Sequence, residues 1–235
     1  PHGYQANDDQ QAIADGLVSR SGFGLPEQGF VFCCFNNPYK IDPDTFNRWM
    51  DILRAVPESR LWLFVGTGND AASDNLRAAA EIRSVDPVRL VFAGSLPKAQ
   101  HLQRIRMADL ALDTLICNGH TTTSDTLWAG VPLVTLEGTH FASRVSASCL
   151  RTIGLPELIA PSAEAFTHLA VSLAKDPASL AALKAKLWEN RTREPLFDTA
   201  RFARDLESLF LAMWERYSKG LPPSVLQIPG RGPSS

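Results

Sequence analysis

The sequence predicts an α/β fold built on a doubly wound parallel sheet, and two observations carry that expectation. First, the apolar runs FVFCCF (30–35), RLWLFV (60–65) and RLVFA (89–93) are continuous rather than alternating, the pattern of strands buried on both faces. Second, each run is followed by a polar turn and a stretch of helical periodicity, in units of about 20 to 30 residues. Right-handed βαβ crossovers have that spacing.

Residues 1–28 are rich in Gly, Asp, Gln and Ser without sustained periodicity. They read as a linker or the trailing edge of an upstream domain. The domain proper is expected over 29–218. Its first strand ends at NNPYK, and Asp42-Pro43 opens a helix to about Val56 with Phe46, Trp49, Met50 and Leu53 on one face. The second strand leads through the turn GTGND to a helix over about 71–84, and the third through GSLP to a helix from Lys98 to about Met107. A fourth strand, LAL (110–112), precedes CNGHTTTSDTLWAG (117–130), read as a turn and a helix stopped by Gly130. PLVTL (132–136) is the fifth strand, followed by a helix over 141–153, and LIA (158–160) is a short sixth. Three helices then begin at Ala163, Pro177 and Thr199. The last carries an apolar stripe, Phe202, Leu206, Leu209, Phe210, Met213, Trp214 and Tyr217, expected to be core or docking surface rather than a cofactor box. Residues 219–235 read as a disordered tail.

Hydrophobic residues make up 45% of the 235 and charged residues 20%, with 23 Lys+Arg against 25 Asp+Glu. That is an ordinary soluble globular composition. No basic stripe suggests nucleic acid, no apolar run is long enough to span a membrane, and the N-terminus is unlike a signal peptide. The four cysteines form no CxxC pair and have no histidines at metal-ligand spacing. Cys33, Cys34 and Cys149 lie in or beside apolar runs, so buried free thiols and a reducing, cytoplasmic setting are expected. Cys117 borders the 117–130 motif instead. The start at Pro1 without a methionine suggests a fragment.

In a doubly wound sheet, ligands bind at the carboxyl ends of the strands. Asn37 and Lys40 follow the first strand; Lys98, His101 and Arg104 follow the third; His120, Thr121, Thr122 and Asp125 follow the fourth. Hydroxyls at 121–124 sit in a first helical turn, where backbone N–H groups are free and the dipole is positive, so a phosphate fits there. Ordinary N-capping explains the same hydroxyls. Lys98 at a helix start faces the dipole the wrong way unless an anion is near. Taken singly, Lys40 reads as a solvated turn lysine and His120 as a structural histidine. The chain lacks GxGxxG and GxxxxGK[ST], which argues against a dinucleotide cofactor or a P-loop. The combined set suits a nucleoside diphosphate bearing a sugar, with no resident metal or other cofactor.

Four segments make the reading specific: FNNPYKIDP (35–43), SLPKAQHLQR (95–104), ADLALDTLICNGHTTTSDTLWAGVPLVT (108–135) and FASRVSAS (141–148). In order and spacing they resemble the peptide O-linked N-acetylglucosamine transferase family, which includes the Spindly-like proteins. The resemblance implies the C-terminal, donor-binding half of a GT-B glycosyltransferase, preceded by another Rossmann-like half and by tetratricopeptide repeats. It implies that Lys40 neutralises the departing diphosphate and is needed for catalysis, that Lys98 contacts the donor, and that His101 stacks on uracil. His120, Thr121, Thr122 and Asp125 match the diphosphate-and-ribose segment. Asn37 stands where the animal enzymes have glutamine, so its reach is shorter. The implied reaction is inverting, metal-independent transfer of N-acetylglucosamine from UDP-N-acetylglucosamine to Ser/Thr hydroxyls of proteins. The alternatives are fucosyl transfer from GDP-fucose and a non-catalytic nucleotide-sugar-binding or interaction module. With the other half absent, the chain is expected to bind a nucleotide sugar more readily than to turn it over.

Overall fold

The continuous apolar runs become six parallel strands: β1 (Val31–Cys34), β2 (Arg60–Phe64), β3 (Leu90–Ala93), β4 (Leu110–Leu112), β5 (Leu133–Leu136) and β6 (Ile159–Ala160). They lie in the order β3-β2-β1-β4-β5-β6. The computed structural model describes residues 3–66, 68 and 70–226. Every position of β1 is buried, as a central strand covered on both faces requires. Register pairs Cys33 with Trp62 on one side and Ala111 on the other. The strand order reverses between β1 and β4, and a parallel sheet opens its ligand crevice at such a point.

The helices are α1 (Pro43–Ala55), α2 (Asp70–Ile82), α3 (Lys98–Ile105), α4 (Thr121–Trp128), α5 (Val145–Thr152), α6 (Ala163–Lys175), α7 (Pro177–Asn190) and α8 (Thr199–Ser218). Helix α1 packs beside α6, while α3, α4 and α5 pack in succession. Asp42 caps α1 by accepting from the N–H groups of Asp44 and Thr45, so the Asp-x-Asp spacing of Asp42 and Asp44 is a helix start. Ser162, Asp176 and Asp198 cap α6, α7 and α8 in the same way. Gly130 follows α4 with φ +86°, a left-handed conformation that suits glycine at a helix end.

Three expectations change. The helix expected over 141–153 divides into a 3-10 turn, Phe141–Ser143, and α5, because the Ser143 hydroxyl donates back to the His140 carbonyl and bends the entry. Of the two readings of the α8 stripe, core or docking surface, core is excluded: no residue of α8 is buried, and Phe210, Leu211, Met213, Trp214 and Tyr217 are exposed. Residues 3–28 stay irregular apart from the 3-10 turn Ser21–Phe23, yet they are bonded along the body of the domain. Leu25 joins the core, Ala14 N–H donates to Ala99 O at 3.0 Å, and Arg20 pairs with Asp109 at 2.8 Å. Within the expected tail, 227–235 lies outside the described residues, as do Thr67 and Asn69 of the GTGND turn. Cys33, Cys34 and Cys149 are buried free thiols and Cys117 is half-buried. Among the described residues no helix is long and apolar enough to cross a membrane.

One carboxylate fixes the loop between β4 and α4. Asp113 is 1% exposed and accepts from Thr114 N–H at 2.9 Å, Gly119 N–H at 2.8 Å and Thr135 Oγ1 at 2.7 Å. Burial pushes its carboxyl above the usual range, and these donors pull it back. Asn118 extends the lock: its Nδ2 donates to Thr114 O at 2.8 Å, and its N–H donates to Ala142 O at 2.8 Å. Glycine is required at 119 because a Cβ there would lie 2.5 Å from Thr123 Oγ1, 2.6 Å from Thr122 Oγ1 and 3.0 Å from Asn36 Oδ1.

Replacing Asp113 with alanine leaves the Gly119 and Thr114 N–H groups and the Thr135 hydroxyl without their acceptor. A loss of about 3 kcal/mol in denaturant unfolding is expected, with Asp113→Asn losing less. A loss below about 1 kcal/mol would show that the loop is held by something else.

Candidate functional site

The polar residues singled out in the sequence gather at the carboxyl ends of β1, β3 and β4. Helix α4 begins without a cap: no side chain bonds its first turn, and the first intrahelical bond is Ser124 N–H to His120 O at 3.2 Å. The N–H groups of residues 121, 122 and 123 therefore have no partner among the described residues and stand at the positive end of the helix dipole. Helix α3, whose N-cap is Pro97, also lacks a side-chain cap. Helices α1, α6, α7 and α8 are capped by their own N-cap side chains, whereas α5 also starts without one.

Cations stand at the starts of α3 and α4. Lys40 reaches across from the 3-10 turn Pro38–Lys40 after β1, and its Nζ donates to Asn118 O at 2.7 Å. Lys98, the first residue of α3, pairs with the buried Asp125 of α4. Burial raises the Asp125 carboxyl, and the Lys98 ammonium opposes that rise. Nearly two turns along α3, Arg104 is buried, donates from Nη1 to Gly94 O at 2.7 Å and lies over the Phe35 ring, 5.1 Å from its centroid. Burial lowers the Arg104 pKa to about 10.

Arg104 also sets His101. Its Nε–H donates to His101 Nδ1 at 3.0 Å, which places the imidazole proton on Nε2. The ring stands edge-on to Phe35, centroids 5.2 Å apart. Burial, with Arg104 and Lys98 beside it, pulls its pKa down to about 4, so the ring is neutral at pH 7. His120 forms the N-cap position of α4; burial first, and then the Lys40 charge, lowers its pKa.

Not every expected residue joins. Asn37 is exposed, and its side chain makes no hydrogen bond among the described residues; only its carbonyl is used, by Lys40 N–H at 3.0 Å. The neighbour Asn36 is the buried one, donating to Thr114 Oγ1 at 2.8 Å and accepting from Thr122 Oγ1. Of the hydroxyls at 121–124, three are engaged within the protein: Thr122 with Asn36, Thr123 with Gly119 O and Ser146, Ser124 with Asn7. Thr121 alone is exposed, with no side-chain bond among the described residues. The phosphate-binding potential of this helix start thus rests on backbone N–H groups and Thr121. Sequence reasoning missed Asn36 and Asp113; nothing in an Asn-Asn pair shows which side chain turns inward.

Residues 4–206 match the family model described as glycosyl transferase family 41. The chain is 43% identical over 208 residues to a UDP-N-acetylglucosamine-peptide N-acetylglucosaminyltransferase of Caenorhabditis elegans, covering 88% of this chain and 18% of that protein. It is 40% identical to the Arabidopsis thaliana protein named as the probable transferase SEC, covering 97% of this chain and 24% of the relative. Among solved structures, a mutant of the Thermobaculum terrenum O-GlcNAc transferase superposes with a TM-score of 0.75 at 36% identity, covering 79% of this chain and 36% of that one. A sucrose-phosphate synthase from Thermosynechococcus elongatus, 15% identical with a TM-score of 0.59 over 82% of this chain and 48% of its own, shares the fold alone. The chain spans about a fifth to a quarter of the length of the curated relatives it matches. The family model covers most of the chain, and the chain belongs to glycosyl transferase family 41.

Proposed function

We propose that this chain is the donor-binding half of a protein O-GlcNAc transferase, moving N-acetylglucosamine from UDP-N-acetylglucosamine to Ser/Thr hydroxyls of proteins by an inverting reaction without a metal. The observation that carries the reading is the Lys40 ammonium poised on Asn118 O beside the uncapped start of α4. A diphosphate seated there meets the backbone N–H groups of residues 121 to 123 and a fixed cation together.

The acceptor oxygen attacks the anomeric carbon from the face opposite the leaving group. As that bond forms, the bond to the β-phosphate oxygen breaks, and its electron pair leaves with UDP. Charge grows on the departing oxygen, where Lys40 stabilises it most. The hydroxyl proton passes to a base that the family resemblance places in the upstream half. Asp125 is suited to accept from ribose hydroxyls once Lys98 turns toward the donor, and the neutral His101 ring offers a flat face to a base. This reading assigns Thr121, Thr122, His120 and Arg104 to the same donor site, and Asn37 to its rim. The upstream half and tetratricopeptide repeats, together with a cytoplasmic setting, complete the proposed working protein.

Calorimetric titration of UDP and GDP into the chain tests the donor. UDP is expected to bind in preference to GDP, and Lys40→Met to weaken UDP about tenfold through loss of one charge-assisted contact. GDP preference would move the reading to fucosyl transfer, and a folded chain that binds neither would favour an interaction module. In the complete enzyme Lys40→Met should abolish transfer while the fold persists.

The His101 environment has its own signature. Unfolded, its imidazole takes up a proton near 6.5; folded, it does so only at about 4. Its contribution to stability is therefore fully present above pH 6.5 and lost as the pH falls toward 4. Denaturant midpoints should fall across that window in the wild-type chain, and His101→Gln should flatten the fall. An unchanged slope would mean that the ring is solvated.

A further inference from the structure

His120, Ser124 and Trp128 recur at four-residue spacing along α4 and so form one line on its surface. Each is bonded to the irregular N-terminal segment. Gln5 Nε2 donates to Ser124 Oγ at 3.1 Å, and Ser124 Oγ donates to Asn7 Oδ1 at 2.5 Å. Trp128 Nε1 donates to Gln11 O at 3.0 Å. The segment is fixed at its far side as well: Asn7, buried, donates to Leu196 O at 3.1 Å, and its carbonyl accepts from Thr199 Oγ1 at 2.7 Å.

At the head of this line the Tyr4 hydroxyl lies 2.5 Å from His120 Nδ1. Tyr4 also packs edge-to-face on Phe141, centroids 5.0 Å apart, and Phe141 lies 6.1 Å from the His120 ring. The other ring nitrogen, Nε2, is buried and has no hydrogen-bond partner among the described residues. A buried N–H without an acceptor costs free energy until one arrives.

We propose that Tyr4 is a positioning residue of the donor site: its hydroxyl donates to His120 Nδ1, holds the ring as the Nε2–H tautomer, and so keeps a neutral N–H donor at the start of α4 for a phosphate oxygen of a nucleoside diphosphate. The inference rests on the proposed function for its ligand but not for its tautomer. Electrostatics agrees with the direction of donation: burial raises the phenol of Tyr4, while burial and Lys40 lower the imidazole of His120, so each is neutral at pH 7. A phenol O–H that hydrogen-bonds to Nδ1 needs that nitrogen unprotonated, which leaves the single N–H of the neutral imidazole on Nε2.

Two measurements on the 235-residue chain decide it. Long-range nitrogen–proton correlation spectra of histidine-labelled protein, with the His120 signals assigned by His120→Ala, should show the Nε2–H form in the wild type and a mixture of tautomers in Tyr4→Phe. UDP should bind Tyr4→Phe about five- to tenfold more weakly, the loss of one oriented hydrogen bond, whereas Gln5→Ala, which loosens the same segment but keeps the hydroxyl, should retain both the tautomer and the affinity. Thermal melts confirm that the variants are folded. An Nδ1–H ring in the wild type, or an unchanged tautomer in Tyr4→Phe, overturns the inference whatever UDP does. Equal weakening by Gln5→Ala and Tyr4→Phe also overturns it, since the segment would then act only by docking. Failure of the wild-type chain to bind UDP overturns the proposed function, and the tautomer spectra still decide the role of Tyr4.

Discussion

The buried carboxylate of Asp113 is the constraint on which the rest of the site depends. It stands where β4 ends, at the point where strand order reverses, and takes a hydroxyl from β5 and two backbone N–H groups from its own loop. Asn36, at the end of β1, approaches it at 3.4 Å. Removing a carboxylate from water is unfavourable unless several donors surround it, and donors placed to do so are held in turn. The loop from Asp113 to Gly119 has little freedom left, and α4 starts where that loop ends. The free N–H groups of α4 and the Asn118 carbonyl that holds Lys40 inherit their positions from this one group.

Electrostatics then explains the arrangement around it. Two uncapped helix starts and the side chains of Lys40, Lys98 and Arg104 put like charge on one rim, with Asp125 as the counter-charge paired to Lys98. Lysine at the start of α3 opposes the helix dipole, and the Asp125 pair offsets that cost while no anion is present. On the proposed function, the Lys98–Asp125 pair and the Lys40–Asn118 contact are the internal substitutes that a diphosphate and a ribose would displace.

Much of this was legible in the chain. Strands buried on both faces must be apolar throughout, so FVFCCF and RLWLFV announced themselves, and Pro43 and Gly130 marked helix ends by their own backbone limits. The cations and α4 could be placed because a parallel sheet sends every strand end to one rim. What stayed hidden depends on contacts distant in sequence. Asn36 and Asn37 are the same residue type, and the strand's exit angle decides which one turns inward. The Thr and Ser hydroxyls at 122–124 looked free for a ligand, but Asn36, Ser146 and Asn7 engage them from three other elements. Residues 3–28 have no period because scattered side-chain and backbone bonds hold them and not regular structure. The α8 stripe is helical in period and still exposed, since amphipathicity shows that a face is apolar without showing what covers it.

The two rim histidines complete the division of labour. His101 and His120 lie on different helices, yet each has its Nδ1 taken by a neighbour, Arg104 in one case and Tyr4 in the other. Each also has a pKa lowered by burial first and by nearby cations second. An imidazole so placed contributes no charge near neutral pH. The positive field at the rim therefore comes from lysine, arginine and helix termini. On the proposed function these cations draw in the diphosphate, and the histidines are left to supply shape: a flat face at 101 and an oriented N–H at 120.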